Sequence, residues 1–328
     1  MEQSEVISVC YHFPSLDTLF GLAYLQLYFA QQPQFTYNYY QINNRSQVES
    51  LQLQYSKTLY YVGIVPKIHL LVQTARIANQ VIIIDNKTEN ALELSAKIRD
   101  SRLKSKLKFI SPPTEGQSVS SVCHHYLPPS FPIPQSLSHI AAYVSDAECY
   151  KFELPRSREV ASGLYTLWDI GRIKIINPTD PHFLDVFAEL TVESLIEMGY
   201  QRYTEYQRGL EVALEEQPRV VHIEGRADLP CLTVTTENKM IKSEVNAIQL
   251  GHRLAEISKK RGFLPVAIIA HAVKGNYKNL VALSFRSTED YDVGAICRRN
   301  GGGGYKQAAQ CRLNRVVFER DWVQEFLA

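Results

Sequence analysis

The chain has 328 residues, a length that favours two domains, and its 45% hydrophobic and 21% charged residues are ordinary for a globular protein. Thirty-five basic residues against thirty-four acidic ones leave a net charge of +1, which argues against a sequence-independent binder of duplex DNA. No apolar run reaches membrane-spanning length, and the acidic first residues resemble neither a secretory signal nor a transit peptide. We therefore expect an intracellular protein, cytoplasmic or mitochondrial and not secreted.

Strand and helix patterns alternate in the first half of the chain. Runs rich in β-branched and aromatic residues predict strands at 6–11, 35–42, 59–64, 81–85 and 107–111. Apolar residues at helical spacing predict helices at 19–30, 68–78 and 90–102. This alternation is typical of right-handed βαβ units, so it predicts a parallel sheet.

Three positions with polar or special character stand at the ends of predicted strands: His12, Gly63 and Asp85. In parallel α/β sheets, ligands bind beyond the carboxyl ends of the strands. We therefore expect the three positions to lie close together at that edge.

A long helical stretch at about 181–216 joins the two halves. The second half predicts strands at 220–224, 232–236, 266–272, 280–285 and 310–315, and helices at 243–260 and 292–300. These patterns predict a parallel α/β domain over 1–165, a helical linker over 166–217 and a smaller α/β domain over 218–328.

Four consecutive glycines, Gly301, Gly302, Gly303 and Gly304, stand near the C-terminus. A glycine run loses much backbone entropy on ordering, so a chain keeps one where backbone approaches a ligand or another backbone closely. We expect the glycine N–H groups to form an anion site with the guanidinium of Arg286. The alternative is a flexible hairpin loop.

The glycine run and its surroundings resemble the C-terminal substrate-binding domain of the DHH phosphoesterases. That family has Ser-Phe-Arg-Ser and Asp-Val before its glycines and Ala-Ala after them, as at 284–287, 292–293 and 308–309 here. The family has a histidine directly after the glycines, where this chain has Tyr305, and Gly-Phe where it has Gln310-Cys311. By this resemblance, Arg286, Ser287, the four glycines and Tyr305 are the candidate substrate-binding residues.

Further segments resemble the motifs of the family branch that opens with Tyr-His-x-x-Cys-x-Asp-Gly. Residues 11–18 resemble that motif, 82–88 stand where the family has Asp-His-His-Lys-Thr, and 143–157 resemble its Val-x-Asp-x-Asp-Leu-Trp and Leu-Pro-x-Ser segments. Residues 115–118 fit the family's short Ser-Gly-Ala helix start. The resemblance covers nearly the whole chain and implies a parallel DHH-like domain linked by a long helix to a smaller α/β domain.

The resemblance also implies a centre of two divalent ions, usually manganese, which carboxylates and imidazoles hold and one carboxylate bridges. Four ligand positions of the family are retained, as His12, Asp17, Asp85 and Asp146. Gly63 stands where the family has the bridging aspartate.

Other motif positions are also changed. Asn86 and Lys87 replace the two histidines, unless one was deleted and Lys87 is the lysine that follows them. Ser15 and Thr18 replace the cysteine and the glycine of the first motif. A lysine ammonium at a metal site would repel the cation. We therefore expect no catalytic residues, no cofactor and no two-metal centre; a single ion, if held, would use the four retained ligands.

A rearranged metal site would draw on His69, His124 or His125, although His124 and His125 also fit an ordinary structural helix. The basic runs 99–108 and 259–261 fit solvated helix ends, and the tyrosines of 37–40 and 60–61 fit a sheet core with polar tips. Six cysteines without metal-ligand spacing fit buried thiols in a reducing compartment. The sequence contains no P-loop, no Rossmann glycine fingerprint and no nucleophile elbow.

The sequence therefore predicts a catalytically inactive DHH-phosphoesterase-like protein that serves as a structural or accessory subunit, with protein partners in a larger assembly. One alternative is a protein that binds a nucleotide or short oligonucleotide through Arg286, Ser287 and the glycine run. A second alternative is a manganese-dependent phosphodiesterase acting on short RNA or dinucleotides.

Overall fold

The computed structural model describes residues 5–43, 56–86, 94, 96–112, 117–149, 151–170, 177–215, 218–235, 244–273, 278–288, 291–304 and 306–323. Two compact units, Met1–Tyr203 and Thr204–Ala328, make up the chain. The division falls inside a single long helix, Val192–Glu215. The three-part division into 1–165, 166–217 and 218–328 stays a prediction.

Unit 1 contains a five-stranded sheet in which every described strand pair is parallel, as predicted. The strand order is β2-β1-β3-β4-β5. The strands are β1 Glu5–His12, β2 Phe35–Ile42, β3 Ser56–Val62, β4 Ala78–Ile84 and β5 Leu107–Ile110.

Helices connect and flank these strands. They are α1 Leu16–Ala30, α2 Ile68–Ile77, α3 Ser101–Ser105, α4 Val119–Tyr126, α5 Gln135–Glu148, α6 Ser157–Asp169, α7 Phe183–Ala188 and α8 Val192–Glu215. The single helical stretch predicted at 181–216 is wrong, because α7 and α8 are separate helices. Thr191 ends the connection between them: its side-chain oxygen accepts a hydrogen bond from the Ser194 N–H at 3.1 Å, which caps α8. Of the helix predicted at 90–102, the structure describes 94 and 96–102: residues 94, 96 and 97 are helical, but 98–100 are not, and the separate helix α3 begins at Ser101.

Both faces of the parallel sheet are buried, which explains its nearly continuous apolar strands. Alternate residues of one strand enter different cores. Val9 and Tyr11 pack with α1 and the helices from α4 to α8, whereas Cys10 packs with α2 on the opposite face. Each buried Val, Leu, Ile or Phe side chain contributes about 1.5–3 kcal/mol to the stability of such a core.

Unit 2 contains a six-stranded sheet of order β10-β11-β9-β8-β7-β6. Only β7 and β8 pair in parallel among its described strands. The strands are β6 Arg219–His222, β7 Pro230–Thr235, β8 Val266–Ala272, β9 Leu280–Ser287, β10 Gly303–Gly304 and β11 Ala308–Asn314. The helices are α9 Glu244–Lys260, α10 Val293–Arg299 and α11 Arg315–Val317.

The two faces of this second sheet carry different helices. Leu250 and Leu254 of α9 form one core with Ala267 and Ile269 of β8. α10 and the turn Phe318–Trp322 form the other core with alternate residues of β8, β9 and β11. Within the described part of the chain, no helix is both long and apolar enough to cross a membrane.

Candidate functional site

The carboxyl ends of three neighbouring strands bring the first predicted positions together. The register aligns the last residues of β3 and β4 with each other and with the penultimate residue of β1. The next residues along the chain are Gly63, Asp85 and His12, so these three lie side by side. The Gly63 N–H extends the ladder by donating to the Ile84 carbonyl at 2.9 Å.

Gly63 leaves no room for a side chain. Its φ of +66° is a backbone conformation that side-chain-bearing residues rarely adopt. A Cβ built on Gly63 would overlap the hydroxyl oxygen of Thr18 and would stand 3.5 Å from Cβ of His12. Thr18 therefore fills the space into which an aspartate at position 63 would extend. The family resemblance predicts the reverse arrangement, with glycine at 18 and aspartate at 63.

Asp17 is buried, and both of its carboxylate oxygens bind the start of a helix. They accept hydrogen bonds from the backbone N–H groups of Val119 and Ser120 at 2.6 and 2.8 Å. These groups lie in the first turn of α4, where N–H groups have no partner within the helix and a negative charge is favoured. Asp17 thus anchors α4 to the first turn of α1.

Asp146 is also buried, and its carboxylate also binds backbone N–H groups. Its oxygens accept hydrogen bonds from the N–H groups of Glu153 and Leu154 at 3.0 and 3.4 Å. The clamped segment connects α5 to α6 and contains two residues with positive φ, Phe152 and Arg156. Asp146 therefore holds an unusual turn in place.

Asp85 follows β4 and is buried, and its N–H donates to the Ile110 carbonyl at 3.2 Å. Asn86 is half-buried. Lys87 lies outside the described residues, so the predicted repulsion between its ammonium and a cation stays a prediction.

Glu148 is a residue at this edge that sequence reasoning missed. It lies in the last turn of α5, and its pKa is raised by the surrounding protein and, secondarily, by the charge of Asp17. The Glu148 side chain is nevertheless exposed, and an exposed carboxylate keeps much of its hydration. The pKa of Cys149 is raised in the same way, by burial first and then by Asp17. The last turn of α5 thus lies beside Asp17.

The residues present do not fit a two-metal centre. In the part of the chain that the structure describes, no three His, Cys, Asp or Glu side chains group closely enough to hold a metal ion. Gly63 offers no ligand atom, and the carboxylates of Asp17 and Asp146 point their oxygens at backbone N–H groups. Of the residues predicted as ligands, His12 and Asp85 stand at the same sheet edge, at the ends of β1 and β4, with β3 and Gly63 between them.

Two of the three spare histidines considered from the sequence, His124 and His125, make contacts that support the local structure. His124 packs against the ring of Tyr24 with 5.3 Å between ring centroids, and burial followed by His125 lowers its pKa. The Nδ1 atom of His125 lies 2.7 Å from the Ser121 carbonyl oxygen. Both histidines stand on α4, as the sequence predicts.

The glycine run of unit 2 begins as a helix cap. The N–H groups of Gly301 and Gly302 donate to the carbonyls of Arg298 and Cys297 at 3.2 and 2.8 Å. They thereby satisfy carbonyl groups at the end of α10. Contrary to the expectation from the sequence, these two N–H groups are not available to an anion in this arrangement.

The second half of the run is a short strand. Gly303 and Gly304 form β10 and pair antiparallel with Gln310 and Ala309 of β11. A Cβ on Gly302 or Gly304 would overlap the β11 backbone. Close approach to another backbone therefore requires glycine at these two positions. Tyr305 lies outside the described residues.

Glu224 fixes the end of α10 from another part of unit 2. Its carboxylate accepts hydrogen bonds from Nε and Nη2 of Arg299 and from Nδ2 of Asn300, each at 3.0 Å. These bonds, chiefly that of Arg299, lower the pKa of Glu224. Glu224 has a φ of +55°, a conformation that residues other than glycine rarely adopt. No local sequence pattern indicates this role of Glu224.

Arg286 and Ser287 end strand β9, and both are buried. The Nη1 atom of Arg286 donates to the Phe285 carbonyl at 2.7 Å. Gly251 of α9 leaves room for the Arg286 stem, because a Cβ there would stand 2.6 Å from Cγ of Arg286. Burial and then the Arg286 charge lower the pKa of His271. The structure therefore places the predicted binding arginine against α9 with an imidazole nearby.

No protein-family model matches the chain. The chain is 25% identical over 250 residues to an uncharacterized protein, R106, of Acanthamoeba polyphaga mimivirus. The match covers 74% of this chain and 50% of R106, so the chain spans about half the length of that relative.

Solved structures resemble the chain over nearly its whole length. CDC45 from Entamoeba histolytica has a TM-score of 0.51 at 12% identity, covering 95% of this chain and 93% of CDC45. A pGpG-specific phosphodiesterase, PggH, from Vibrio cholerae has a TM-score of 0.45 at 12% identity, and the match covers 97% of this chain and 96% of PggH. RecJ from Thermus thermophilus (TM-score 0.49, 15% identity) covers 96% of this chain and 50% of RecJ. The likeness to CDC45 supports the predicted α/β fold, in which a unit with a parallel sheet is followed by a second α/β unit.

Proposed function

We propose that this chain is a member of the DHH superfamily that has lost hydrolytic activity and serves as a structural or accessory subunit of a larger assembly. The inactivity rests on Gly63. A two-metal hydrolase needs a ligand shared by both ions, because the pair generates hydroxide and stabilises the displacement at phosphorus together. Position 63 has neither a carboxylate nor room for one, because Thr18 fills the space and φ is +66°.

Two retained carboxylates support the same proposal. Asp17 and Asp146 have roles that need no metal, since one anchors α4 and the other clamps the turn after α5. Retention of these residues in the sequence is therefore explained by stability alone. Hydrolysis is not required to account for them.

The test of inactivity is metal analysis and turnover on the purified full chain. After incubation with manganese and gel filtration, we expect no stoichiometric manganese and no hydrolysis of dinucleotides or short oligonucleotides. The manganese-dependent phosphodiesterase alternative predicts two ions per chain. Turnover that Asp17→Ala abolishes while that variant is still folded would establish that alternative, provided that a variant of an exposed carboxylate, Asp228→Ala, leaves turnover unchanged.

The subunit role draws support from the edge of the first sheet. Strand β2 stands at one end of the described strand order and contains eight residues, none of them charged or proline. Edge strands of monomeric proteins usually carry charges or proline that prevent pairing with other chains. At the other end, β5 has four residues, and Lys106 and Lys108 stand beside and within it. A partner that pairs with β2 would use the edge whose strand carries neither charge nor proline.

Fractionation of an extract from the source cell tests the subunit role. We expect the protein in a large complex, and we expect Tyr40→Lys in β2 to shift it toward smaller species. Lys108→Tyr in β5 is the matched change at the opposite edge and should leave the complex intact. A protein that runs as a free monomer would contradict the proposal.

A second candidate function is nucleotide or short-oligonucleotide binding, and the buried Arg286 beside His271 is the observation that favours it. Arginine binds phosphate oxygens bidentately, and a nucleoside phosphate bound to the folded state would raise Tm in a dose-dependent way. Arg286→Ala should abolish that rise, whereas Arg312→Ala, at an exposed position of β11, should keep it. A structural subunit should show no shift with either protein.

A further inference from the structure

Two cysteines from different elements meet under the glycine run of unit 2. Cys297 lies on α10 and Cys311 on β11, and both are buried in one hydrophobic core at 0% and 4% exposure. The Cys297 side chain is the first cause of the lowered pKa of Cys311, which places the two thiols next to each other. A contact between thiols is the first geometric requirement for a disulfide.

The backbone around Gly302 brings the two cysteines within reach of each other. The Gly302 N–H donates to the Cys297 carbonyl at 2.8 Å. On its other side, a Cβ built on Gly302 would stand 2.6 Å from both Cα and Cβ of Cys311. One glycine therefore touches the backbone of both cysteines. A disulfide needs Cα atoms about 4.4–6.8 Å apart, and this shared neighbour keeps the two backbones close.

We propose that Cys297 and Cys311 are a modification site that forms a reversible disulfide, which ties the end of α10 to β11 beneath Gly301–Gly304. The oxidant we consider is a hydroperoxide such as hydrogen peroxide. The Cys311 thiolate attacks one peroxide oxygen, the O–O bond breaks, and hydroxide leaves, which gives a sulfenic acid. The Cys297 sulfur then attacks the Cys311 sulfur, an S–S bond forms, and water leaves with the Cys297 proton.

These two reaction steps balance in atoms and electrons. Two thiols lose two electrons, and one peroxide becomes two waters, since the hydroxide takes up the proton that Cys311 released. Either thiol can attack first, because the two sulfurs are interchangeable in this balance; the contact with Cys297 lowers the pKa of Cys311, although burial opposes this. Cys231 lies in the same core, but burial raises its pKa well above the ordinary value. Cys231 is therefore the matched control.

Peroxide treatment of the native full chain, followed by thiol titration in denaturant and peptide mapping without reductant, tests the proposal. The free thiols should fall from six toward four, with a cross-linked peptide that joins Cys297 to Cys311 and disappears on reduction. Tm should rise by several degrees, because the cross-link restricts the unfolded chain. Cys231→Ser should give the same cross-link, whereas Cys311→Ser should give none and no rise in Tm.

Three results would overturn the proposal. One is that all six thiols stay free under native conditions. Another is over-oxidation of Cys311 without the cross-link. The third is a different disulfide that forms as fast as this one. The peptide map reads the native chain directly, so the test does not depend on whether the serine variants fold.

Discussion

The Oδ2 atom of Asp17 accepts a hydrogen bond from the backbone N–H of Val119 at 2.6 Å, across 102 positions of sequence. A residue that the family resemblance assigns to a metal is thus the anchor of a helix start. The same carboxylate binds the next N–H of α4 through its other oxygen. The charge of Asp17 is therefore compensated by the helix, without a cation.

Asp17→Ala should destabilise the protein in the complete absence of metal. It leaves two buried N–H groups of α4 without their acceptor, and we expect a loss of about 2 kcal/mol or more in the free energy of unfolding. Urea unfolding and amide exchange at Val119 measure this. Asp100→Ala removes an exposed cap, which accepts from the Arg102 N–H at 2.9 Å, and should cost about 1 kcal/mol or less. Equal effects of the two changes would contradict the anchoring role.

Gly63→Asp should be destabilising by itself. Its cost should be smaller when it is made in a Thr18→Gly background. The single change adds about 1–2 kcal/mol for positive φ and about 1–3 kcal/mol for the overlap with Thr18. In the double variant the overlap is gone, so the two costs should not add. Gly262→Asp is the matched control, because Gly262 has a φ of +80° and no atom within 4 Å of its Cβ position. A double-mutant cycle in urea that shows simple additivity would refute the coupling.

The sequence predicts the sheet edge well because strand ends depend on local patterns. The positions of His12, Gly63 and Asp85 follow from three apolar strands and the rule that parallel strands end together. The sequence does not predict what fills the space between them. That Thr18 enters the Gly63 position depends on how α1 packs over the strand, which no local pattern encodes.

The glycine run shows the same division between local and long-range information. Its sequence predicts close backbone approach but not which of two partners, a ligand or another backbone, is approached. The partner is β11 for Gly302 and Gly304, and the carbonyls of α10 accept from the first two N–H groups. Both partners are set by the tertiary arrangement of unit 2.

Glu224→Gln should weaken the protein in a pH-dependent way. The hydrogen bond from Arg299 is the main cause of the lowered pKa of Glu224, so the charged form is favoured in the folded state. A lowered folded pKa contributes stability that is present above the ordinary value of 4.5 and is lost as pH falls through the folded value. We therefore expect a lower Tm for Glu224→Gln at pH 7 and a shrinking difference below about pH 4.5.

Glu319→Gln is the control for this pH dependence. Glu319 accepts one bond from Nη1 of Arg219 at 3.4 Å, and both side chains are more than 40% exposed. Such surface pairs contribute little. Thermal unfolding of the two variants between about pH 3 and pH 7 gives the comparison, because the ordinary pKa of a glutamate lies in this range. A Tm difference for Glu224→Gln that stays constant with pH would mean that the effect is not electrostatic.

Restoring the metal ligands should create manganese affinity only when the space at position 63 is also restored. The variant that combines Gly63→Asp, Asn86→His and Lys87→His lacks room for the aspartate, because Thr18 remains. Adding Thr18→Gly removes the overlap and places a carboxylate between His12 and Asp85 at the sheet edge. Each oxygen of Asp17 accepts one bond from α4 and keeps a second lone pair for a cation. Calorimetric titration with manganese, with circular dichroism to establish folding, should show binding for the fourfold variant and much weaker binding for the threefold one. A folded fourfold variant that binds no manganese would mean that the four retained residues do not surround one cavity.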